Sequence, residues 1–423
     1  MWVPFISTPK RSPAASRLGK RKISSSSLQS LDTTPSGTLD LQSATVSSHA
    51  SPPKTLSSTL PNPPEVAPLN FTSYTNAVFY PDWACNLASP RTAIPFENVT
   101  HVYYTFIGLN KDGSVFLTEP AAENASSSSR LTAKTCIAQI VSEREERNQD
   151  VKLLMSVGGG AGSGNFSTVV SSSKTREKFA SSLKTLIDDY SFDGVDVDWE
   201  SPISATEGYY FLRMIRLLRT YFTPDDYLLT ATYNGASWAL SEIDITSAVS
   251  VVDQFNLMTY DFYGPWNATS GYHSRLFSPV ADTDSASNSM SLCLADQNID
   301  SRKLIMGVPL YAQGFPNVTG PDQTWAKSRM PDDGIQVNYN ELGLDPFDSD
   351  IVFNSTQVAA GYYNKTANIW YSFDNYESVR QKASHVKSNS LGGIFYWQSA
   401  GDMAASTGGS LVSLSALYLG ATT

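Results

Sequence analysis

The hydrophobic rhythm of this chain changes near residue 75. Residues 1–68 carry 32 Ser, Thr or Pro and few large apolar side chains. That is too little apolar surface to offset the entropy of ordering a chain, so the segment is expected to be a disordered leader or linker. From Ala77 onward, short apolar runs alternate with longer segments whose apolar residues recur three and four apart. The short runs predict strands over Ala77–Tyr80, His101–Ile107, Lys152–Val157, Gly194–Glu200, Tyr227–Tyr233, Gln254–Tyr260, Leu304–Leu310 and Gly393–Trp397. Between the third and fourth, Phe179, Leu183, Leu186, Ile187 and Tyr190 keep helical spacing. After the fourth, Phe211, Met214, Ile215, Leu218 and Phe222 do the same. Eight strands separated by helices predict an α/β fold, a (β/α)8 TIM barrel over 69–423, with its active site at the strands' C-terminal ends. One connection is long: about 80 residues, Tyr311 to Leu391, separate the last two strands, where ordinary units need far fewer. The turn-rich part, 316–368, predicts a small inserted subdomain that walls one side of a cleft. The tail Leu411–Leu419 reads as a last barrel helix.

One strand stands out chemically. Asp193-Gly194-Val195-Asp196-Val197-Asp198-Trp199-Glu200 holds four carboxylates. Alternation along a strand puts Asp196, Asp198 and Glu200 on one face, about 6.6 Å apart, with Val195, Val197 and Trp199 on the other. Neighbouring negative charges and burial both raise a carboxylate's pKa, so at least one proton must be shared or held. A protonated acid beside an ionised one is what cleavage of a glycosidic bond requires. A solvated acidic turn would not alternate with Val, Val and Trp. A metal site is the better rival, since hard cations take clustered carboxylates, but the Gly and Glu spacing of an EF-hand loop is absent.

Charge and composition narrow the partners. The net charge of −10 divides into +4 over residues 1–68 (seven Lys/Arg, three Asp/Glu) and −14 over the rest. An acidic body argues against nucleic acid, whose binding rests on phosphate neutralisation, and is compatible with a neutral polymer. Cys85, Cys136 and Cys293 fit neither a disulfide scaffold nor a zinc site; they read as small buried residues with at most one disulfide. His49, His101, His273 and His385 are isolated in sequence, so no His-based nucleophile system or metal cluster is expected. No apolar run reaches the length of a membrane span. The N-terminus is a poor secretion signal, with Pro4 inside its apolar start and Lys10-Arg11 following at once, and Arg17 to Lys22 reads as a solvated charge run. Eight Asn-x-Ser/Thr sequons, at Asn70, Asn98, Asn124, Asn165, Asn267, Asn317, Asn354 and Asn364, lean the other way, towards secretion.

Asp193 to Glu200 matches a DxxDxDxE signature, and from about Thr75 to Ala416 the chain resembles the family 18 glycoside hydrolases, the chitinase family. Four further segments carry the resemblance: Met155-Ser156-Val157-Gly158-Gly159, Met258-Thr259-Tyr260-Asp261, Gly307-Val308-Pro309-Leu310-Tyr311 and Gly392-Gly393-Ile394-Phe395-Tyr396-Trp397. The resemblance implies that Glu200 is the general acid and base. Asp198 would orient the substrate's acetamido group, Asp196 would share the proton of Asp198, and Tyr260 would donate to the acetamido carbonyl. It places Asp261, Trp397, Trp266, Met258, Phe106 and Tyr311 around the sugar, and gives Asp193, Ser156, Gly158 and Gly159 architectural work. The implied reaction is hydrolysis of β-1,4-linked N-acetylglucosamine, in chitin or chitooligosaccharides, with retention by substrate assistance. No metal or organic cofactor, no nucleic acid and no membrane span are implied, and an extracellular monomer is expected. An endo-β-N-acetylglucosaminidase acting on N-glycans and a catalytically dead sugar-binding protein are the alternatives. Departures from the family pattern are Gly160 after SxGG where Trp is frequent, Ser201 after Glu200 where Tyr is common, Gln313 where many relatives carry Arg, and Phe79-Tyr80 in the first strand.

Overall fold

The computed structural model describes residues 74–119, 131–281, 283–295, 298–325, 335–346 and 348–420; the expected leader, 1–68, lies outside them. Fourteen strands are present among the described residues: β1 Thr75–Pro81, β2 His101–Leu109, β3 Val115–Leu117, β4 Lys152–Gly158, β5 Gly194–Asp198, β6 Leu228–Asn234, β7 Gln254–Met258, β8 Leu304–Pro309, β9 Tyr311–Pro316, β10 Gln336–Asn338, β11 Ile351–Asn354, β12 Ala359–Asn364, β13 Ile369–Phe373 and β14 Gly393–Trp397. Eight of them run parallel in the order β1-β14-β8-β7-β6-β5-β4-β2, and β1 also pairs with β2, which closes the sheet into a barrel. β3 extends β2 as an antiparallel hairpin arm.

Helices cover the outside for the reason the periodicity implies. In Ser173–Asp189, Phe179, Leu183 and Ile187 are buried against the strands, and in Ala205–Tyr221, Phe211, Met214, Ile215 and Leu218 are. Ser204 caps the second of these helices by accepting from the Glu207 amide, and Thr132 with Thr135 forms a reciprocal cap on Ala133–Arg147. The lower barrel interior is a separate apolar plug of Ala77, Phe79, Tyr103, Leu154, Ile305 and Phe395, with Phe79 stacked on Tyr103 at 4.4 Å. This resolves the first strand: Phe79 points inward, while Tyr80 points out and donates its hydroxyl to the Ala88 carbonyl.

Two predicted strands end two residues early. β5 stops at Asp198 and β7 at Met258, so Glu200 and Tyr260 sit on the loops just beyond, not on the strands. Alternation therefore applies to Asp196 and Asp198 but no longer governs Glu200. The insertion between the last two barrel strands is a five-stranded antiparallel sheet, β10-β9-β13-β12-β11. It begins at Tyr311 and ends at Phe373, beyond 316–368 on both sides, because Leu310 is the single residue between β8 and β9. Cys85 and Cys136 form a disulfide, and Cys293 is free and buried.

Candidate active site

The site grows from the register of β5 with its neighbours. Asp196 faces Ser156 on β4 and Thr230 on β6 at the same level of the barrel. Its Oδ2 accepts from Ser156 Oγ at 2.7 Å, its Oδ1 from Thr230 Oγ1 at 2.6 Å, and both from Thr232 Oγ1 at 3.0 and 3.1 Å. Burial pushes the Asp196 carboxyl up to about 6, and the three hydroxyls hold it below what burial alone would give.

One step further along the strand, Asp198 is buried, and its Oδ1 has no hydrogen-bond partner among the described residues. Burial, then the charges of Glu200 and Asp196, raise its pKa well above the ordinary carboxylate range. Glu200 is pushed up to about 7 by burial and by the charge of Asp261, against a lowering hydrogen bond from the Gly160 amide. Its own amide donates to Ser163 Oγ at 2.9 Å, and that hydroxyl donates to the Gly159 carbonyl, also at 2.9 Å. The loop after β4 thus grips the loop after β5 where the third acid sits. Gly158 (φ +118°) and Gly159 (φ +71°) make this possible: a Cβ would lie 2.1 Å from the Asp198 carbonyl oxygen at the first and 2.3 Å from the Phe106 ring at the second.

Asp261 has φ 59°, and its Oδ1 is held by Tyr311 Oη and Gln313 Nε2, both at 2.8 Å, and by His273 Nδ1 at 3.3 Å. Gln313 is therefore spent on Asp261, and its Oε1 is buried without a partner among the described residues. Tyr260 packs edge-on against Tyr311 and Phe395, each with centroids at 6.2 Å. Burial and the charges of Asp198, Glu200 and Asp261 raise its phenol pKa well above the usual value, so the hydroxyl stays a donor.

Aromatic rings cluster beside these acids, above the barrel plug. Trp397 stacks on Phe106 at 5.5 Å, meets Phe79 at 6.0 Å and takes Trp83 edge-on at 6.1 Å. It packs with Met258 and Tyr260 against the barrel plug. Trp266 is 36% exposed and folds over Gly264, where a Cβ would lie 2.5 Å from the indole. The peptide bonds Thr105–Phe106, Glu200–Ser201 and Trp397–Gln398 are cis.

Asp193 alone of the signature acids is elsewhere. It precedes β5, pairs with Arg144 at 3.1 Å and accepts from the Leu153 amide at 2.7 Å, tying a helix to the strand bottoms. Several participants escaped the sequence reading. Thr230 and Thr232 could have been found, since they alternate with Leu229, Ala231 and Tyr233 on the strand beside the acids. Ser163 and His273 carried no signal.

Residues 75–402 match the sequence model of the glycosyl hydrolases family 18, and the chain belongs to that family. Among curated relatives, sporulation-specific chitinase 2 of Saccharomyces cerevisiae is 26% identical over 396 residues, covering 80% of this chain and 76% of that protein. Endochitinase 1 of Metarhizium robertsii is 24% identical over 367 residues, covering 78% and 82%. Among solved structures, the class V chitinase from Nicotiana tobaccum superposes with a TM-score of 0.69 at 24% identity, covering 82% of this chain and 99% of that one. A likeness at that identity speaks for the fold.

Proposed function

We propose that this chain is a chitinase that hydrolyses β-1,4-linked N-acetylglucosamine with retention, using the substrate's own acetamido group as nucleophile. The observation that carries this reading is the graded acid row. Asp196 is ionisable and fully hydrogen-bonded, Asp198 is buried with one oxygen unpartnered, and Glu200, on the loop beyond β5, is pushed up to about 7. Glu200 gives its proton to the leaving glycosidic oxygen. The unpartnered oxygen of Asp198 accepts the acetamido N–H, orienting its carbonyl oxygen onto the anomeric carbon and supporting the positive charge that develops. Tyr260, kept as a donor, holds that carbonyl oxygen in line. Glu200, now ionised, then takes a proton from the attacking water, and Asp196 steadies the charge as Asp198 gains and loses its partner. Trp397, stacked on Phe106, offers its ring to the sugar's C–H face, with Asp261, Met258 and Tyr311 around it and Trp266 as a platform on the leaving-group side.

The test is turnover of soluble chitooligosaccharides. Cleavage of a six-sugar oligomer should be lost by about 10²-fold to 10⁴-fold in Glu200→Gln, with binding retained. Near-normal turnover by that variant would contradict the assignment. The same family membership, the sequons and the Cys85–Cys136 disulfide, a bond that persists in oxidising compartments, support reading the chain as secreted and N-glycosylated.

A further inference from the structure

We propose that Asn364 is the N-glycan acceptor of the inserted sheet. The proposal rests on the secreted reading above and goes beyond it by separating the sequons through their geometry. Asn364-Lys365-Thr366 forms the tip of the hairpin between β12 and β13. The Asn364 side-chain oxygen accepts from the amides of Thr366 at 3.1 Å and Ala367 at 3.0 Å. This local turn engages the side-chain oxygen, and among the described residues no hydrogen bond engages Nδ2. Asn364 is itself half-buried at the end of β12, and residues 365 to 368, which complete the tip and include the rest of the sequon, are all exposed.

The other described sequons differ, each in a specific way. Asn98 is 4% exposed, its Nδ2 is buried, and its Oδ1 accepts from Ser413 on the last helix, so a sugar there would have to displace that helix. Asn165 turns its Nδ2 onto the Leu109 carbonyl at 2.8 Å, and the middle residue of its sequon, Phe166, is fully buried against Trp199. Asn354 makes the same turn as Asn364 at the opposite end of β12, but there the turn runs straight into buried residues, Gln357 and Val358, where the Asn364 turn stays exposed through residue 368. Asn317 is exposed, but the middle residue of its sequon, Val318, is buried and holds the segment against the sheet. In the Asn267 sequon it is the hydroxyl residue that is tied down, since Thr269 bridges to Thr324.

The modification is a group transfer from a lipid-linked oligosaccharide diphosphate. The Asn364 Nδ2 to sugar C1 bond forms, the C1 to diphosphate oxygen bond breaks, the lipid diphosphate leaves, and one Nδ2 proton is released to it. No oxidant or reductant is needed.

The full chain, expressed behind a cleavable leader in a secreting yeast, should show Asn364 occupied in most molecules by glycopeptide mass spectrometry. Asn98 and Asn165 should be empty. Asn364→Gln and Thr366→Ala should each remove one glycan, Thr366→Ser should keep it, and none should change turnover of a soluble oligomer. An empty Asn364, or a glycan on Asn98 or Asn165 of active enzyme, would overturn the proposal. The secreted reading is tested apart, by locating the protein in the cells that make it with an antibody against the barrel: a chain confined to the cytosol would sink that reading without altering the site order.

Discussion

Thr230 donates from Oγ1 to Oδ1 of Asp196 over 2.6 Å because the two residues face each other in register on adjacent parallel strands. With Ser156 on the other side, the innermost acid is bracketed by hydroxyls that favour its ionised form. Ser156→Ala and Thr230→Val should therefore each raise the Asp196 pKa above its present value of about 6, and shift the acidic limb of the kcat profile upward. Unfolding in urea should show a loss of about 1.5–3 kcal/mol at pH 8, where the acceptor is charged, and about 0.5–1.5 kcal/mol at pH 5. Equal losses at both pH values would contradict the charge-assisted bond.

The acid row also costs stability in a definite pH window. Asp196 at about 6, Asp198 well above its ordinary range and Glu200 at about 7 all bind protons more tightly folded than unfolded. Between about pH 4 and pH 7 the native state thus holds more protons than the unfolded chain, so stability falls as pH rises through that window. Glu200→Gln removes one such group. It should be more stable than the unmodified protein at pH 8, by on the order of 1–3 kcal/mol, with the difference vanishing near pH 4. A constant offset across pH would be the contrary result.

Gln313 gives Asp261 a hydrogen bond without a positive charge, and the charge of Asp261 is part of what raises Glu200. Gln313→Lys places a cation there. The basic limb of kcat/KM, which reports loss of the Glu200 proton, should move to lower pH by about half a unit to one unit. An unmoved limb, with only the amplitude reduced, would mean that Asp261 does not set the proton affinity of Glu200.

Asp193 belongs to the same sequence signature, yet it works on the scaffold. Asp193→Ala leaves Arg144 and the Leu153 amide without their acceptor, and should cost about 1–3 kcal/mol. The pH profile of the folded variant should keep its shape. A displaced limb with unchanged unfolding midpoint would reverse this assignment.

The barrel was legible because period-2 and helical spacing are written locally, and all eight predicted barrel strands are present within a few residues of their expected ends. The acid row was legible because three of its members lie within five residues. Its supports were not. Tyr311 and Gln313 were singled out, but not as partners of Asp261; they and His273 meet it only because β9 and the loop after β7 converge in space, and Ser163 reaches Glu200 across the barrel rim. The early stop of β5 also escaped, since the alternation Asp-Val-Asp-Trp-Glu continues past the last ladder pair at Asp198. The disulfide joins residues 51 apart, a pairing that sequence spacing leaves open.

The central claim is that the nucleophile belongs to the substrate, with Asp198 and Tyr260 aiming it and Glu200 moving the proton. Two inversions at one carbon restore its configuration, so the first product must be the β-anomer. Proton NMR during the first minutes of chitooligosaccharide hydrolysis, before mutarotation, reads that anomer directly. The account predicts an initial β-anomer and no cleavage where the sugar at the cleaved position carries a free amine. An initial α-anomer, or efficient cleavage after a glucosamine unit, would contradict it and require a directly attacking water or a protein carboxylate instead.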